Sequence, residues 1–337
     1  MINTESVHQL FNGFNDLRIM IVGDVMVDAY LFGKVDRISP EAPVPVVAVE
    51  SRMNRLGGAA NVALNIRSLG ATPVLCSVIG NDQKAVELLD LMQQNQMPLN
   101  GIVKSDTRIT TTKFRVIGNK MQMLRVDEEQ LNDLESQEEN SLLNNIQNII
   151  DSERIDAVIF QDYNKGVLTE NIIHRITEMS RKRNIPVVVD PKKKHFLAYQ
   201  HVTLFKPNLK ELKEGLNKDV EIKTIDQISE AMLLLQKKLQ CEYVMVTLSE
   251  RGVIIKQFAD NKEIKTLHFP AHIRNIADVS GAGDTVISVA TLCLALGQPA
   301  GFIASVSNLA GGIVCEEVGV IPIDKSRLEQ ETLKIFS

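Results

Sequence analysis

Short apolar runs that stop at glycine, acidic or proline residues alternate with longer helical runs along most of this chain. That alternation constrains the fold more than any other feature. Residues 18–22 (RIMIV) end at Gly23-Asp24, and further apolar runs lie at 72–80 (TPVLCSVIG), 156–160 (DAVIF), 185–191 (IPVVVDP), 201–205 (HVTLF) and 243–248 (YVMVTL). Between them, 59–70 (AANVALNIRSLG), 85–96 (AVELLDLMQQNQ), 169–184 (TENIIHRITEMSRKRN), 208–216 (NLKELKEGL) and 227–240 (QISEAMLLLQKKLQ) carry helical spacing. Continuous apolar strands alternating with helices predict an α/β fold, with a mostly parallel sheet covered by helices on both faces.

Two stretches break the pattern. In residues 30–50, Pro40, Pro43 and Pro45 forbid a helix, while Val44, Val46, Val47 and Val49 favour extended chain. Residues 113–126 read as a hairpin, KFRVIG and QMLRV about a turn at Asn119-Lys120. These pieces predict a small β lid, built from about 30–50 and 98–126, on one α/β domain spanning 1–337.

The 337 residues carry 37 Lys and Arg against 42 Asp and Glu, a formal charge of −5, so no basic excess marks a nucleic-acid binder. The four cysteines, Cys76, Cys241, Cys293 and Cys315, form no CxxC pair, which predicts buried thiols in a reducing compartment and no zinc site. The N-terminus lacks the basic and apolar regions of a secretory leader. The nearly uncharged stretch 286–315 is interrupted by Gly297-Gln298-Pro299, so two buried helices are expected there rather than a membrane span. A cytoplasmic protein with no membrane partner follows as the expectation.

The segment with most chemical content is 278–285 (DVSGAGDT), running into an apolar helix. Small residues let a ligand approach the backbone, free N–H groups at the helix start face an anion, and Asp284 stands beside them as a possible base. Read alone, it is also an ordinary glycine turn. Residues 55–63 (RLGGAANVA) hold a second pair of glycines that could admit a polar ligand to main-chain amides. Asp28 alone could be a loop or cap residue. The first strand is not followed by GxGxxG, which argues against a dinucleotide-binding dehydrogenase.

Together, RLGGAANVA and DVSGAGDT, in this order along the chain, resemble the two signatures of the ribokinase-like (PfkB-type) carbohydrate kinases, and the likeness extends from about residue 18 to about 324. The resemblance implies a ribokinase-like fold and ATP-dependent phosphorylation of a sugar. It makes Asp284 the base, with the Gly281, Ala282 and Gly283 amides forming an anion hole. Asp28, Gly57, Gly58 and Asn61 would bind the sugar. Asn208 and Glu211, from an N-x-x-E element, would organise phosphates and the water shell of Mg²⁺. Thr247, Ser249 and Gly252 would hold the nucleotide, and Asn308 would flank adenine. The carbonyls of Asp278 and Ser280 fall where relatives bind a monovalent cation such as K⁺. The family more often has Thr in place of Ser280, and ribokinase more often has Gly in place of Ser249.

Residues 37–46 (RISPEAPVPV), with GDVMVD and DYNKGVL, resemble the family members that phosphorylate D-glycero-β-D-manno-heptose 7-phosphate at O1 in the ADP-heptose pathway, which feeds lipopolysaccharide core. A substrate that already bears a phosphate needs cations, and Lys165, Arg115 and Arg125 are the candidates; they could equally be solvated sheet residues. Lys193, Lys194 and His195 depart from the pattern after Asp190-Pro191-Lys192 and read as a solvated face. Many such relatives continue into a nucleotidyltransferase with an HxGH-type motif, which does not occur here, so a kinase alone is expected. A homodimer that covers the lid edge is the expected assembly. Another sugar or sugar-phosphate kinase, such as a fructose 1-phosphate or hexose kinase, and a silent ligand-binding member remain as alternatives.

Overall fold

The computed structural model describes residues 4–216, 222 and 224–336. Among these, thirteen strands occur: β1 Arg18–Gly23, β2 Val25–Ile38, β3 Pro45–Gly58, β4 Thr72–Gly80, β5 Ile102–Ser105, β6 Thr112–Gly118, β7 Met121–Glu128, β8 Ala157–Gln161, β9 Val187–Asp190, β10 Leu204–Phe205, β11 Tyr243–Thr247, β12 Val253–Ala259 and β13 Lys262–Phe269. Nine form one sheet in the order β13-β12-β11-β10-β9-β8-β1-β4-β5. From β11 through β5 all neighbours are parallel, and only β12 runs against them.

Why the central strands read as unbroken apolar runs is visible in β1. Ile19 and Ile21 face a cluster with the helices Ala59–Ser68, Ala282–Ala295 and Ala300–Val314. Met20 and Val22 face the opposite cluster, with the helices Ser136–Ser152, Glu170–Lys182 and Ile225–Leu239. Successive side chains point to opposite faces and both faces are covered, so a polar side chain in mid-strand needs its own partner, as Ser77 on β4 has in Gly23 O at 2.7 Å. Each such fully buried side chain contributes about 1.5–3 kcal/mol from lost water contact. The two helices expected within 286–315 are Ala282–Ala295 and Ala300–Val314, and no helix among the described residues is long and apolar enough to cross a membrane. All four cysteines are buried and free, and burial pushes the Cys76 and Cys241 thiols up to about 12.

A second sheet, in the order β3-β2-β6-β7, stands at the end of β1. Its bounds correct the expected lid. β2 starts at Val25 and β3 runs to Gly58, so the lid begins earlier and ends later than 30–50. Residues 102–105 do not belong to it: β5 pairs with β4 at the edge of the large sheet, where Ile102 and Val103 cover what would otherwise be an open edge. The hairpin at Asn119-Lys120 is present, both residues having positive φ (50° and 66°), as a tight two-residue turn requires. β12 and β13 were not anticipated. They meet at Asp260-Asn261, again with positive φ (49° and 60°).

Candidate active site

The strands of the large sheet end in polar residues on one side: Asp24 after β1, Gln161 closing β8, Asp190 closing β9, Lys206 after β10 and Thr247 closing β11. In parallel sheets this carboxyl edge is where ligands bind. The glycine turn faces it. Gly281 (φ 81°, ψ −4°) is the N-cap of the helix Ala282–Ala295, a left-handed conformation that suits glycine. A Cβ at Gly283 would lie 3.8 Å from Asp190 Oδ2, so the turn opens onto the sheet edge. The first N–H groups of a helix have no intrahelical acceptor. That of Ala282 is engaged by Val279 O at 3.3 Å, and that of Thr285 by Gly281 O at 3.1 Å.

Asp284 sits in the first turn of this helix, buried. Its Oδ2 accepts from Asn61 Nδ2 at 2.6 Å, its Oδ1 from the Tyr163 hydroxyl at 2.8 Å and from Gln161 Nε2 at 3.3 Å. Burial pushes its carboxyl up to about 6; the Asn61 and Tyr163 hydrogen bonds work against that, Asp190 adds to it and Lys206 opposes it. Lys206, itself buried, pairs with Asp190 at 3.0 Å. Asn61 and Asp284 are 223 residues apart in sequence, joined because the helices that carry them pack together. The Oδ1 of Asn61 and the Oε1 of Gln161 are buried with no hydrogen-bond partner among the described residues, so two acceptors await donors beside Asp284.

The lid supplies the other wall. Asp28, on β2, accepts from Arg115 Nη1 on β6 at 2.5 Å. Gly57, on the neighbouring strand opposite Met26, lies under Asp28: a Cβ there would fall 2.3 Å from Asp28 Oδ2. Gly58 has φ +61°, and its Cβ would fall 2.3 Å from the Asp24 carbonyl oxygen. Arg115 and Arg55 both lie over the Tyr30 ring, at 5.2 and 5.5 Å. Arg125 is the cross-strand neighbour of Arg115 and pairs with Asp127 at 2.9 Å. Lys165 pairs with Glu129 at 2.8 Å. Each of the three cations expected near a substrate phosphate thus has a carboxylate partner; Arg115 and Arg125 are neighbours on the lid, and Lys165 reaches Glu129 just beyond its last strand.

On the far side, Asn208 and Thr247 are bridged through their backbones, which brings the N-x-x-E element beside the 247–252 turn. Asn208 Oδ1 accepts the Glu211 N–H and Glu211 Oε2 accepts the Asn208 N–H, both at 2.8 Å, a reciprocal cap on the helix Leu209–Gly215. Glu211 Oε1 pairs with Lys192. Burial and then Asp190 raise the Glu211 carboxyl, with Lys192 and Lys206 opposing. Among the described residues no three His, Cys, Asp or Glu gather as a metal cage. Ser249 has φ 53°, which is why glycine is at home in that position, and Gly252 has φ 85°. Asn308 Nδ2 donates to Pro270 O at 2.8 Å. Asp278 accepts the N–H of Ser280 at 2.9 Å and of Gly319 at 3.1 Å, and the Ser280 bond holds its carboxyl below the usual range. Of the basic run, Lys194 pairs with Asp133 at 2.8 Å, and Lys193 is exposed.

Sequence reasoning assigned no role to Gln161, Tyr163, Asp190 or Lys206. Asp24, at the end of β1, turns inward: its carboxylate accepts the N–H groups of Tyr163 (2.8 Å), Lys165 (3.1 Å) and Val167 (3.0 Å). The available signal was that each apolar run stops at a polar residue, which in a parallel sheet puts those residues on the ligand edge.

A buried carboxylate at a glycine-rich helix start, facing the carboxyl edge of a parallel sheet and walled by a small lid, defines a site for moving an anionic group onto a hydroxyl. The family model for pfkB carbohydrate kinases matches residues 16–326, and the chain belongs to that family. Bifunctional protein HldE of Methylobacillus flagellatus is 39% identical over 319 residues, covering 95% of this chain and 64% of its own length. The HldE protein of Aliarcobacter butzleri is 38% identical over 303 residues, 89% of this chain and 61% of its own. The chain therefore spans less than two thirds of these relatives. Phosphofructokinase-2 from Escherichia coli, in complex with potassium, superposes with a TM-score of 0.74 at 17% identity, over 95% of this chain and 99% of that one. Arabidopsis thaliana ribokinase complexed with ribose and ATP gives 0.68 at 15%, over 93% and 98%. These two share the ribokinase-like fold.

Proposed function

We propose that this chain transfers the γ-phosphoryl group of ATP to O1 of D-glycero-β-D-manno-heptose 7-phosphate, giving the 1,7-bisphosphate for ADP-heptose synthesis. The observation that carries the reading is Asp284, a buried carboxylate fixed by three donors at the head of the glycine turn. The HldE relatives and the RISPEAPVPV run, which joins β2 to β3, support the choice of sugar.

In this reading Asp284 takes the proton from the sugar O1. The electron pair left on O1 forms the bond to the γ-phosphorus, and the bond to the bridging oxygen breaks, releasing ADP. The N–H groups of Gly281, Ala282 and Gly283 hold charge on the moving group; that of Ala282 must first leave Val279 O. Such transfers need positioning and fixed positive potential more than covalent chemistry. Asp28, Asn61 and the backbone at Gly57 and Gly58 grip sugar hydroxyls, and Asn61 Oδ1 is an acceptor without a partner. Arg115, Arg125 and Lys165 take the 7-phosphate, releasing their carboxylate partners. Thr247, Ser249, Gly252 and Asn308 line the nucleotide. Mg²⁺ would fit here as an ion held by phosphates and water, with Asn208 and the Glu211 carboxylate organising the shell. It would offset phosphate charge. The Asp278 and Ser280 carbonyls would take K⁺.

The chain acts as one domain. Exposed Val44, Val49, Leu124 and Val126 on the lid support a homodimer through it, working in the cytoplasm.

ATP-dependent ADP release over a panel tests the reading: the β- and α-heptose 7-phosphates, fructose 1-phosphate, fructose 6-phosphate, fructose and ribose. Turnover chiefly on the β-heptose phosphate is expected. Preference for another sugar would discard the heptose assignment and keep Asp284; no turnover at all would favour a silent ligand-binding member. Arg115→Ala should raise KM for the sugar phosphate about 10–100-fold, the loss of roughly one charge-assisted contact, and leave KM for ATP within twofold. An unchanged sugar KM removes Arg115 from the phosphate site.

A further inference from the structure

Tyr163 has no part in the steps above, yet its hydroxyl lies 2.8 Å from Asp284 Oδ1. The chain is built to hold it there. Its own N–H is fastened to Asp24 Oδ2 at 2.8 Å, and the next residue, Asn164, turns through φ 54° with its N–H on Asp162 Oδ1 at 2.7 Å. The ring lies under Lys192, whose Nζ is 5.8 Å from the ring centre. Burial, with the Asp284 charge next, keeps the phenol well above its ordinary value, so it donates at every working pH.

Each carboxylate oxygen offers about two lone-pair sites. Asp284 Oδ1 meets two donors, Tyr163 and Gln161, and Oδ2 meets one, Asn61. We propose that Tyr163 is the positioning residue for Asp284: its hydroxyl fills Oδ1 and fixes the carboxylate plane, so that Oδ2 is the atom that accepts the proton of the sugar hydroxyl. This rests on Asp284 being the base. The proton passes from O1 to Oδ2, the O1 electron pair goes to phosphorus, and Tyr163 keeps its own proton throughout.

The charged and titratable groups around Asp284 are Tyr163 from the loop after β8, Asp190 at the end of β9 and Lys206 after β10; the helix Ala59–Ser68 presents Asn61. Tyr163→Phe keeps the ring and removes one donor to the ionised base. The acid limb of kcat/KM, near pH 6 in the parent, should then move up by about half to one pH unit, with kcat about tenfold lower and KM for ATP within twofold. A purely structural role would lower stability or raise KM without moving the limb. A limb that stays in place, whatever happens to kcat, overturns the assignment. Should Tyr163→Phe fail to fold, replacing the tyrosines with 3-fluorotyrosine keeps the contact at Asp284 Oδ1 and makes the phenol a stronger donor. The limb should then move down, and a fixed limb would refute the assignment. Failure of the underlying reading has a different signature: Asp284→Asn retains turnover, or the parent has no limb near pH 6.

Discussion

Asp284→Asn is expected to lower turnover about 10³–10⁴-fold while leaving the chain folded and able to bind ATP. The amide has nearly the shape of the carboxylate and can still accept from Tyr163, but it cannot take a proton at neutral pH. In the parent, kcat/KM should fall tenfold per pH unit below about 6, where Asp284 becomes protonated, and the residual activity of the variant should lack that limb. The stability sign runs the other way. The folded chain keeps this proton up to about pH 6, whereas an unfolded aspartate releases it near 3.8. Between those values the folded state binds more protons, so the Asp284 contribution to stability falls as pH rises, by up to about 3 kcal/mol. The Asn variant carries no buried charge and should therefore be at least as stable as the parent at pH 7. Urea unfolding with single-turnover kinetics checks both halves. A variant that keeps turnover within tenfold removes Asp284 from the role of base, and one that unfolds more easily at pH 7 than the parent refutes the stability half.

The largest expected loss of stability lies at Asp24. Its carboxylate is the acceptor for three backbone N–H groups of the 163–167 loop. Asp24→Ala leaves all three without that partner beneath the site, at about 1–3 kcal/mol for each that water cannot reach. Burial of the charge, together with repulsion from Asp162, already pushes the Asp24 carboxyl up to about 6, and removing that charge returns part of the loss. The net expectation is a loss of about 3 kcal/mol in urea unfolding, with the Tyr163, Lys165 and Val167 amides exchanging faster than the rest of the sheet edge. A loss under about 1 kcal/mol would mean that the loop is held by other contacts.

The parallel sheet was legible because strands buried on both faces cannot hide: β1, β4, β8, β9 and β11 each read as an apolar run between turns or helices. The lid hairpin was legible through its turn, Asn119-Lys120. The hairpin of β12 and β13 carries an equally good turn at Asp260-Asn261, but its outer strand, KEIKTLHF, mixes charge with apolar residues and has no unbroken run. The lid limits slipped for a related reason. Residues 102–105 look like any short extended piece, and only their neighbour in space, β4, makes them part of the large sheet. In the site, Asp284, Gly57, Gly58 and Asn61 stood out through two glycine signatures. Gln161 and Tyr163 bear on Asp284 through the chain's return to the same edge, a relation between residues more than 120 positions apart that no local pattern encodes.

The chain contains four tyrosines and no tryptophan, and their placement makes the protein its own optical reporter. Tyr163 donates to Asp284, Tyr199 to Asp162 at 2.8 Å, and Tyr30 lies beneath Arg55 and Arg115; Tyr243 is away from the site on β11. Near-ultraviolet absorption and emission therefore come mainly from rings wired to the carboxylates and guanidinium groups of the site. On the proposed reading, ligand entry that breaks the Asp28–Arg115 pair would perturb Tyr30, and proton uptake at Asp284 would perturb Tyr163. Filling of the lid side and ionisation of the base can thus be followed separately in the unlabelled protein, against a background free of indole light.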